Sequence, residues 1–197
     1  MDIVVLGTRP SRPCSDHCLV ESEWWVMPPY VHSNYARIKD DNYQTVDSRC
    51  IQALVDTVAL SGRIIDCCSP DGSGIVDSLK GMGYLARGVA DAFGNFEGMW
   101  VVSNPPYKRG LVDKIINAQI DRLGNVEGVA MLLRNNFDFA KSRYIMFTSP
   151  YYYGQIHMMF RPWWSEDKKA QPIHNFVWHI WRLGTGKEPV VKYWKES

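Results

Sequence analysis

The sequence predicts an α/β fold with a mainly parallel twisted sheet, closed by an antiparallel C-terminal strand. Three observations carry that expectation. Short apolar runs alternate with segments of helical period through the middle of the chain, and three of those runs end directly in loops rich in Gly, Pro, Asp or Asn. The last two strand-like runs follow one another with no helix between them.

Taken in order, Ile3-Val4-Val5-Leu6 reads as a short strand, followed by a Pro-rich, aromatic stretch without period. Residues 1–35 are therefore expected to form an arm packed on a single domain, 36–197, with Trp24 and Trp25 pinning it. From Thr45 to Ala59 the apolar positions Val46, Ile51, Leu54, Val55 and Val58 share a helical face, and Gly62 supplies the stop. Arg63 to Asp66 reads as a buried strand, Gly74 to Lys80 as a helix, and Tyr84 to Val89 as a second strand with Asp91 just past it. Trp100 to Ser103 is a strand, Leu111 to Leu123 a helix, and Val129 to Leu133 another strand. Ile156 to Phe160 and Phe176 to Trp181 then make the closing hairpin-like pair.

Composition narrows the class further. A length of 197 residues with 46% apolar content suits one domain with a two- or three-layer core, and 22 basic against 21 acidic residues give no global signal for nucleic acid. Any such binding must use a local patch. Eight Trp, ten Tyr and seven Phe suit either a dense core or a stacking surface. Five Cys is an odd count, Cys67 and Cys68 are adjacent, and no secretory leader or run of 18 apolar residues is present, so reduced thiols in a cytoplasm and no membrane contact are expected. Cys14, His17 and Cys18 cluster, but no second ligand pair follows at zinc-like spacing, and no metal is expected.

The chemistry concentrates in the three strand-end loops. In Asn104-Pro105-Pro106-Tyr107 the two prolines fix φ near −65° and carry no N–H, so the loop is stiff and its carbonyls look outward for donors. The Asn104 side-chain oxygen and the Pro105 carbonyl could together accept both protons of an exocyclic amine, while Tyr107 could stack on a flat substrate. A plain turn after a buried strand is the bland alternative. The loop Asp66-Cys67-Cys68-Ser69-Pro70-Asp71-Gly72-Ser73-Gly74 leads into a helix and lets backbone approach a ligand, and Asp91 stands where ribose hydroxyls are often held. In open α/β sheets such loops gather beyond the carboxyl ends of the strands. An ordinary strand–helix turn and a helix N-cap are the bland alternatives there.

These three features together resemble the S-adenosylmethionine-dependent amino-methyltransferases, specifically N6-adenine DNA methyltransferases of small phage type, over roughly Tyr43 to Trp181. Asn104 to Tyr107 matches their Asp/Asn-Pro-Pro-Tyr motif, Asp66 to Gly74 their motif I, Asp91 their acidic motif II, and Tyr43-Gln44-Thr45 the segment that opens the cofactor pocket. Leu132-Leu133-Arg134 with Ser142 and Arg143, Arg161-Pro162-Trp163-Trp164 and His174-Asn175-Phe176-Val177-Trp178 look like the later strands of those proteins. The resemblance implies a Rossmann-like class I methyltransferase fold, S-adenosyl-L-methionine as cofactor and adenine N6 in DNA as acceptor. The host would be a bacterial or phage-infected cell.

The residues implied for catalysis are Asn104, Pro105, Pro106 and Tyr107. For the cofactor they are Tyr43, Thr45, Asp66, Ser69, Asp71, Gly72, Gly74, Asp91 and Asn104, and for nucleic acid Lys108, Arg109 and Arg134. The chain departs from the family pattern at Pro70, where a Gly is usual, and at Val46, where a Pro is usual. The stretch between Asp91 and Trp100 is also short for a third strand and its motif III acid, and no insertion offers a target-recognition domain. Single-stranded DNA, RNA adenine, a protein glutamine amide and a non-catalytic binding role all stay open as alternatives.

Overall fold

Eight strands among the described residues build one sheet. They are β1 (Arg63–Asp66), β2 (Cys68–Ser69), β3 (Leu85–Ala90), β4 (Met99–Ser103), β5 (Gly128–Arg134), β6 (Tyr152–Met158), β7 (Phe176–Arg182) and β8 (Val190–Trp194). Four helices accompany them: α1 (Arg49–Thr57), α2 (Gly74–Gly81), α3 (Leu111–Ile120) and the short α4 (Tyr144–Phe147). The computed structural model describes residues 44–69, 73–164, 173–184 and 188–196, all within the compact unit Ser33–Ser197. The arm expected over 1–35, with its tryptophans and its Cys14, His17 and Cys18, lies outside the described residues, as do Tyr43, Pro70, Asp71 and Gly72.

The architecture is the predicted α/β one, with the strand order β2-β3-β1-β4-β5-β7-β6-β8. β3, β1, β4 and β5 pair in parallel, and β6 and β8 pair in parallel with each other. β7 runs antiparallel between β5 and β6, as the missing helix before it predicts. The chain leaves β1 for β3 on one side and returns to β4 on the other, so the order reverses at the carboxyl ends of β1 and β4.

Side chains alternate between two faces of the sheet and build a core on each. Ile64, Val102, Leu132, Trp178 and Ile180 face α1 and α2, where Ile51, Leu54, Ile75 and Leu79 meet them. Ile65, Val101, Val129, Leu133 and Trp181 face α3, where Val112, Ile115, Ile116 and Ile120 meet them. Among the described residues part of the aromatic content is core: Trp178 and Trp181 are wholly buried, and their indole N–H groups donate to the carbonyls of Cys50 and Met146 at 2.7 and 3.0 Å. A buried indole needs such a partner, and these two tie β7 to the layers on both sides.

Several elements differ in extent from the sequence reading. α1 starts at Arg49 and not at Thr45, because the Asp47 carboxylate takes the Arg49 backbone N–H at 3.2 Å and its guanidinium at 2.9 and 2.8 Å. α3 ends at Ile120, and β6 begins at Tyr152, four residues before the expected Ile156. β8 is an additional edge strand. It pairs with β6 at Gly154, where an added Cβ would stand 2.0 Å from the Val190 carbonyl oxygen, so only glycine admits it. β2 fills the sheet position beyond β3, antiparallel through Cys68↔Ala90 and Ser69↔Val89. The stretch 91–98 is formed of turns, without a strand.

His179 on β7 is wholly buried beside Phe147 and Trp181, with Nδ1 2.8 Å from the Tyr152 hydroxyl and Nε2 without a partner among the described residues. Burial, and then the nearby His157, lower its pKa to about 3. The folded protein therefore keeps this ring neutral where the unfolded chain, with an ordinary value near 6.5, takes up a proton. Stability is fully present above about pH 6.5 and falls as the pH drops towards 3, with a slope approaching about 1.4 kcal/mol per pH unit. His179→Gln keeps a partner for Tyr152 but does not titrate, and urea midpoints measured across that window should show a flatter acid limb in the variant.

Candidate active site

Four segments meet at the carboxyl edge of the sheet where its order reverses. They are the ends of β1 and β4, the N-terminus of α2 and the segment before α1. Asp66 ends β1 and is 1% exposed. Its carboxylate accepts the Ser103 hydroxyl at 2.6 Å, the Ser73 hydroxyl at 3.1 Å and the Cys68 backbone N–H at 3.2 Å. Ser69 bonds to it as well. Burial raises the Asp66 pKa, and the bonds from Ser103, Cys68, Ser73 and Ser69 oppose that rise.

Each bond has a structural consequence. Ser103 is the last residue of β4, so its hydroxyl fixes the point from which Asn104 to Tyr107 departs. Ser73 is the N-cap of α2, and its oxygen also accepts the Val76 N–H at 3.3 Å while its proton goes to Asp66. Cys68 and Ser69 belong to β2, so the loop is drawn along the edge of β3 towards Asp91. One carboxylate thereby sets the relative positions of the loop after β1 and the Asn-Pro-Pro-Tyr segment.

The segment before α1 closes on the same place. Gly74 opens α2, and a Cβ there would lie 2.0 Å from the Thr45 carbonyl oxygen, so glycine is required by close approach. Thr45 is 2% exposed, and its Oγ1, like Gln44 Oε1, is buried without a partner among the described residues. Two orphaned polar atoms beside the α2 N-terminus are what a polar ligand would satisfy. Asp91 follows β3, is exposed, and accepts the Phe93 N–H at 3.2 Å. Its loop is held against α3 by Gln119 and Arg122, which donate to the carbonyls of Ala92 and Phe93 at 2.8 and 2.9 Å.

Asn104 is 4% exposed, and the Tyr107 hydroxyl stands 2.9 Å from its side-chain oxygen and 2.5 Å from the Leu132 carbonyl. The Tyr107 hydroxyl is the donor to both acceptors, so it anchors the Asn104 side-chain oxygen to the neighbouring strand at Leu132. The Tyr107 ring meets the edge of Phe176 at 5.9 Å, and the Arg134 guanidinium lies 5.5 Å from its centroid.

Sequence reasoning assigned no role to the aromatic wall around this loop. Trp164 meets Phe176 edge to face at 4.7 Å, and the Trp163 backbone N–H donates to Asp47 at 3.2 Å, which brings that strand-free segment beside Thr45. The only signal was an aromatic-rich loop facing the start of β7. Lys108 and Arg109 are exposed just before α3. Arg134, Arg161 and His174 gather at the same edge, where partial burial and then the charges of the two arginines lower the His174 pKa. No set of three His, Cys, Asp or Glu residues suitable for a metal occurs among the described residues. No helix among them is long and apolar enough to cross a membrane.

No protein-family model and no curated protein matches the sequence. Among solved structures the chain is similar to a candidate RNA methyltransferase of Pyrococcus horikoshii, at 8% identity and a TM-score of 0.44, over 68% of this chain and 80% of that one.

Three substitutions test this geometry. Gly74→Ala should destabilise the protein by about 1 to 3 kcal/mol through collision with Thr45. Gly81→Ala, at the other end of α2 with nothing within 4 Å, should be neutral or stabilising by up to about 1 kcal/mol. Asp66→Ala strands two buried hydroxyls and should cost roughly 2 kcal/mol or more. Chemical denaturation midpoints check all three.

Proposed function

We propose that this chain is an S-adenosyl-L-methionine-dependent methyltransferase acting on an exocyclic amine, with adenine N6 in DNA as the acceptor that fits best. The observation that carries the reading is the placement of Asn104: buried at the sheet's reversal point, on a proline-stiffened loop, and fixed relative to the α2 N-terminus by Asp66.

The described residues fit the cofactor. The buried, unpartnered Thr45 Oγ1 and Gln44 Oε1, the close backbone approach at Gly74, and the exposed Asp91 carboxylate offer hydroxyl, amide and acid groups around one end of β1 and β3. Ser69 and Gly74 would line the loop side, Asp91 would receive ribose hydroxyls, and Tyr43, Asp71 and Gly72 are proposed to complete the pocket. When bound, the cofactor supplies an electrophilic methyl group on sulfur.

The protein's own contribution is position and hydrogen bonding. Asn104 Oδ1, whose second lone pair is left by the bond from Tyr107, and the Pro105 carbonyl would accept the two N–H bonds of the substrate amine and turn its lone pair outward. Pro106 keeps the loop from relaxing, and the Tyr107 hydroxyl holds the Asn104 amide in its productive orientation. Because Tyr107 is tied at its hydroxyl and flanked by Arg134 and Phe176, the planar substrate would meet a composite wall and not a free ring. A base in duplex DNA would have to leave the stack to reach this loop. Arg109 and Arg134 would take nearby phosphates, with Lys108 beside them.

Calorimetry with S-adenosylmethionine and methyl transfer from labelled cofactor to DNA, RNA and protein panels decide the reading, and a folded protein that binds no cofactor would refute it. Asn104→Ala should lower kcat by about 100-fold or more with cofactor affinity unchanged. Asp91→Ala should weaken cofactor binding by about tenfold. Tyr107→Phe, which releases the amide, should reduce kcat while leaving KM for the polymer nearly unaltered.

A further inference from the structure

The crossover from β5 to β6 shows large apolar side chains that no core accounts for. It begins as two 3₁₀ turns, Phe137–Phe139 and Lys141–Arg143, and continues into α4. Phe137 and Met146 are buried from this stretch in the α3-side core, and Phe147 packs there edge-on to Phe137 at 6.3 Å. Phe139, Tyr144 and Ile145 point the other way, at 82%, 66% and 78% exposed. Such a cluster on a rigid support marks an interaction surface.

The support is rigid and is tied to the candidate site. Arg143 forms an ion pair with Asp113 at 2.5 Å, donates to the Phe137 carbonyl at 2.6 Å, and places its guanidinium 3.5 Å from the centre of the Phe137 ring. Asp113 lies in the first turn of α3, directly after the Asn104–Tyr107 loop and its Lys108 and Arg109. At its other end the segment follows Arg134, whose guanidinium covers Tyr107. The segment therefore starts at the carboxyl edge that carries Asn104 and runs along the α3 face to α4, which Trp181 and Tyr152 hold near the start of β6.

Charge identifies the partner. Residues 108–114 and 134–147 together carry six basic and two acidic residues, against 22 and 21 in the whole chain, and one of the two acids is consumed by Arg143. Lys141 and Arg109 are exposed, as are Asn135 and Asn136 before the aromatics and Ser142 between Phe139 and Tyr144. Exposed aromatic faces interleaved with cations and amides suit a polyanion with unpaired planar groups. A purely apolar protein interface would have no use for that excess of positive charge.

We propose that residues 135–147 form a landing surface for single-stranded nucleic acid, on which bases flanking the target stack against Phe139 and Tyr144 while Lys141 and Arg109 meet the phosphates. The inference rests on the methyl-transfer reading and names its substrate as an unpaired strand. A duplex offers no exposed base faces to these rings.

Fluorescence anisotropy with a labelled mixed-sequence single-stranded oligodeoxynucleotide, its RNA counterpart and the matching duplex tests it on the full chain without cofactor. The parent should bind the single strands more tightly than the duplex. Phe139→Ala and Tyr144→Ala should each weaken binding by about fivefold or more, and Lys141→Ala should reduce the salt slope by about one. Thermal midpoints should stay at the parent value, since the truncated side chains are exposed. Gly81→Ala, remote from both the loop and the landing surface, should bind as the parent does. Parent-like binding by the Phe139→Ala/Tyr144→Ala double variant would overturn the proposal, as would tighter binding of duplex, failure of the parent to bind any strand, or a double variant that changes only self-association in sedimentation. A loss of methyl transfer in Asn104→Ala alongside any of those results would leave the methyltransferase reading standing without this surface.

Discussion

The candidate site depends on one buried carboxylate. Asp66 accepts hydroxyl protons from Ser103 and Ser73 and a backbone N–H from Cys68, so the end of β4, the N-cap of α2 and the return strand β2 all refer to one group. Burying a carboxyl at 1% exposure is costly on its own, and the raised pKa records that cost. The arrangement persists because its removal would be worse: two buried hydroxyls would lose their acceptor, and the α2 cap would lose the group that orients it. A longer or shorter side chain at position 66 would place the two loops at different heights above the sheet.

From that knot the geometry propagates through contacts that allow little adjustment. Ser103 fixes where Asn104 begins, the two prolines leave the loop few shapes, and Tyr107 is held at Leu132 on the neighbouring strand. On the other side Gly74 brings α2 within van der Waals reach of Thr45, so the segment before α1 cannot separate from the loop without opening a gap. β2 takes the sheet position that another strand–helix unit would occupy, and it does so with two residues of the loop itself. The stretch 91–98 has accordingly no strand to reach, and Gln119 of α3 and Arg122 just after it hold its turns instead.

The central sheet and its helices were legible in the sequence because each buries a face of defined period. β1, β4 and β7 fall where Ile64-Ile65, Trp100 to Val102 and Phe176 to Trp181 put them, and the absence of a helix before β7 gives its direction. Elements held by pairing and not by burial were not legible. β8 alternates no apolar face, with Val191 and Tyr193 exposed, and it exists through its ladder to β6 and the clearance at Gly154. β2 has two residues and no pattern of its own. Of the candidate site, the Asn-Pro-Pro-Tyr loop and the Asp66 loop could be placed at strand ends because prolines, glycines and acids punctuate apolar runs there, each common alone and informative in that order. The hydrogen bond from Tyr107 to Leu132 and the wall of Trp164 and Phe176 could not, since both depend on which strands become neighbours.

The Asp66–Asn104 centre and the crossover 135–147 present two different kinds of surface. Around Asp66 and Asn104 polar atoms are buried and their partners are specified to within a few tenths of an ångström, which is what aligning an amine with an electrophile requires. Along 135–147 the backbone is equally fixed, through Arg143 and Phe137, but the side chains it offers are exposed, flat and tolerant of which base they meet. A chain with no separate recognition domain among its described residues can still hold a polymer if affinity comes from such a surface and chemical selectivity from the loop. Under the proposed division Asn104 would select the amine and the aromatics an unpaired strand, and neither contact would demand a particular neighbouring sequence.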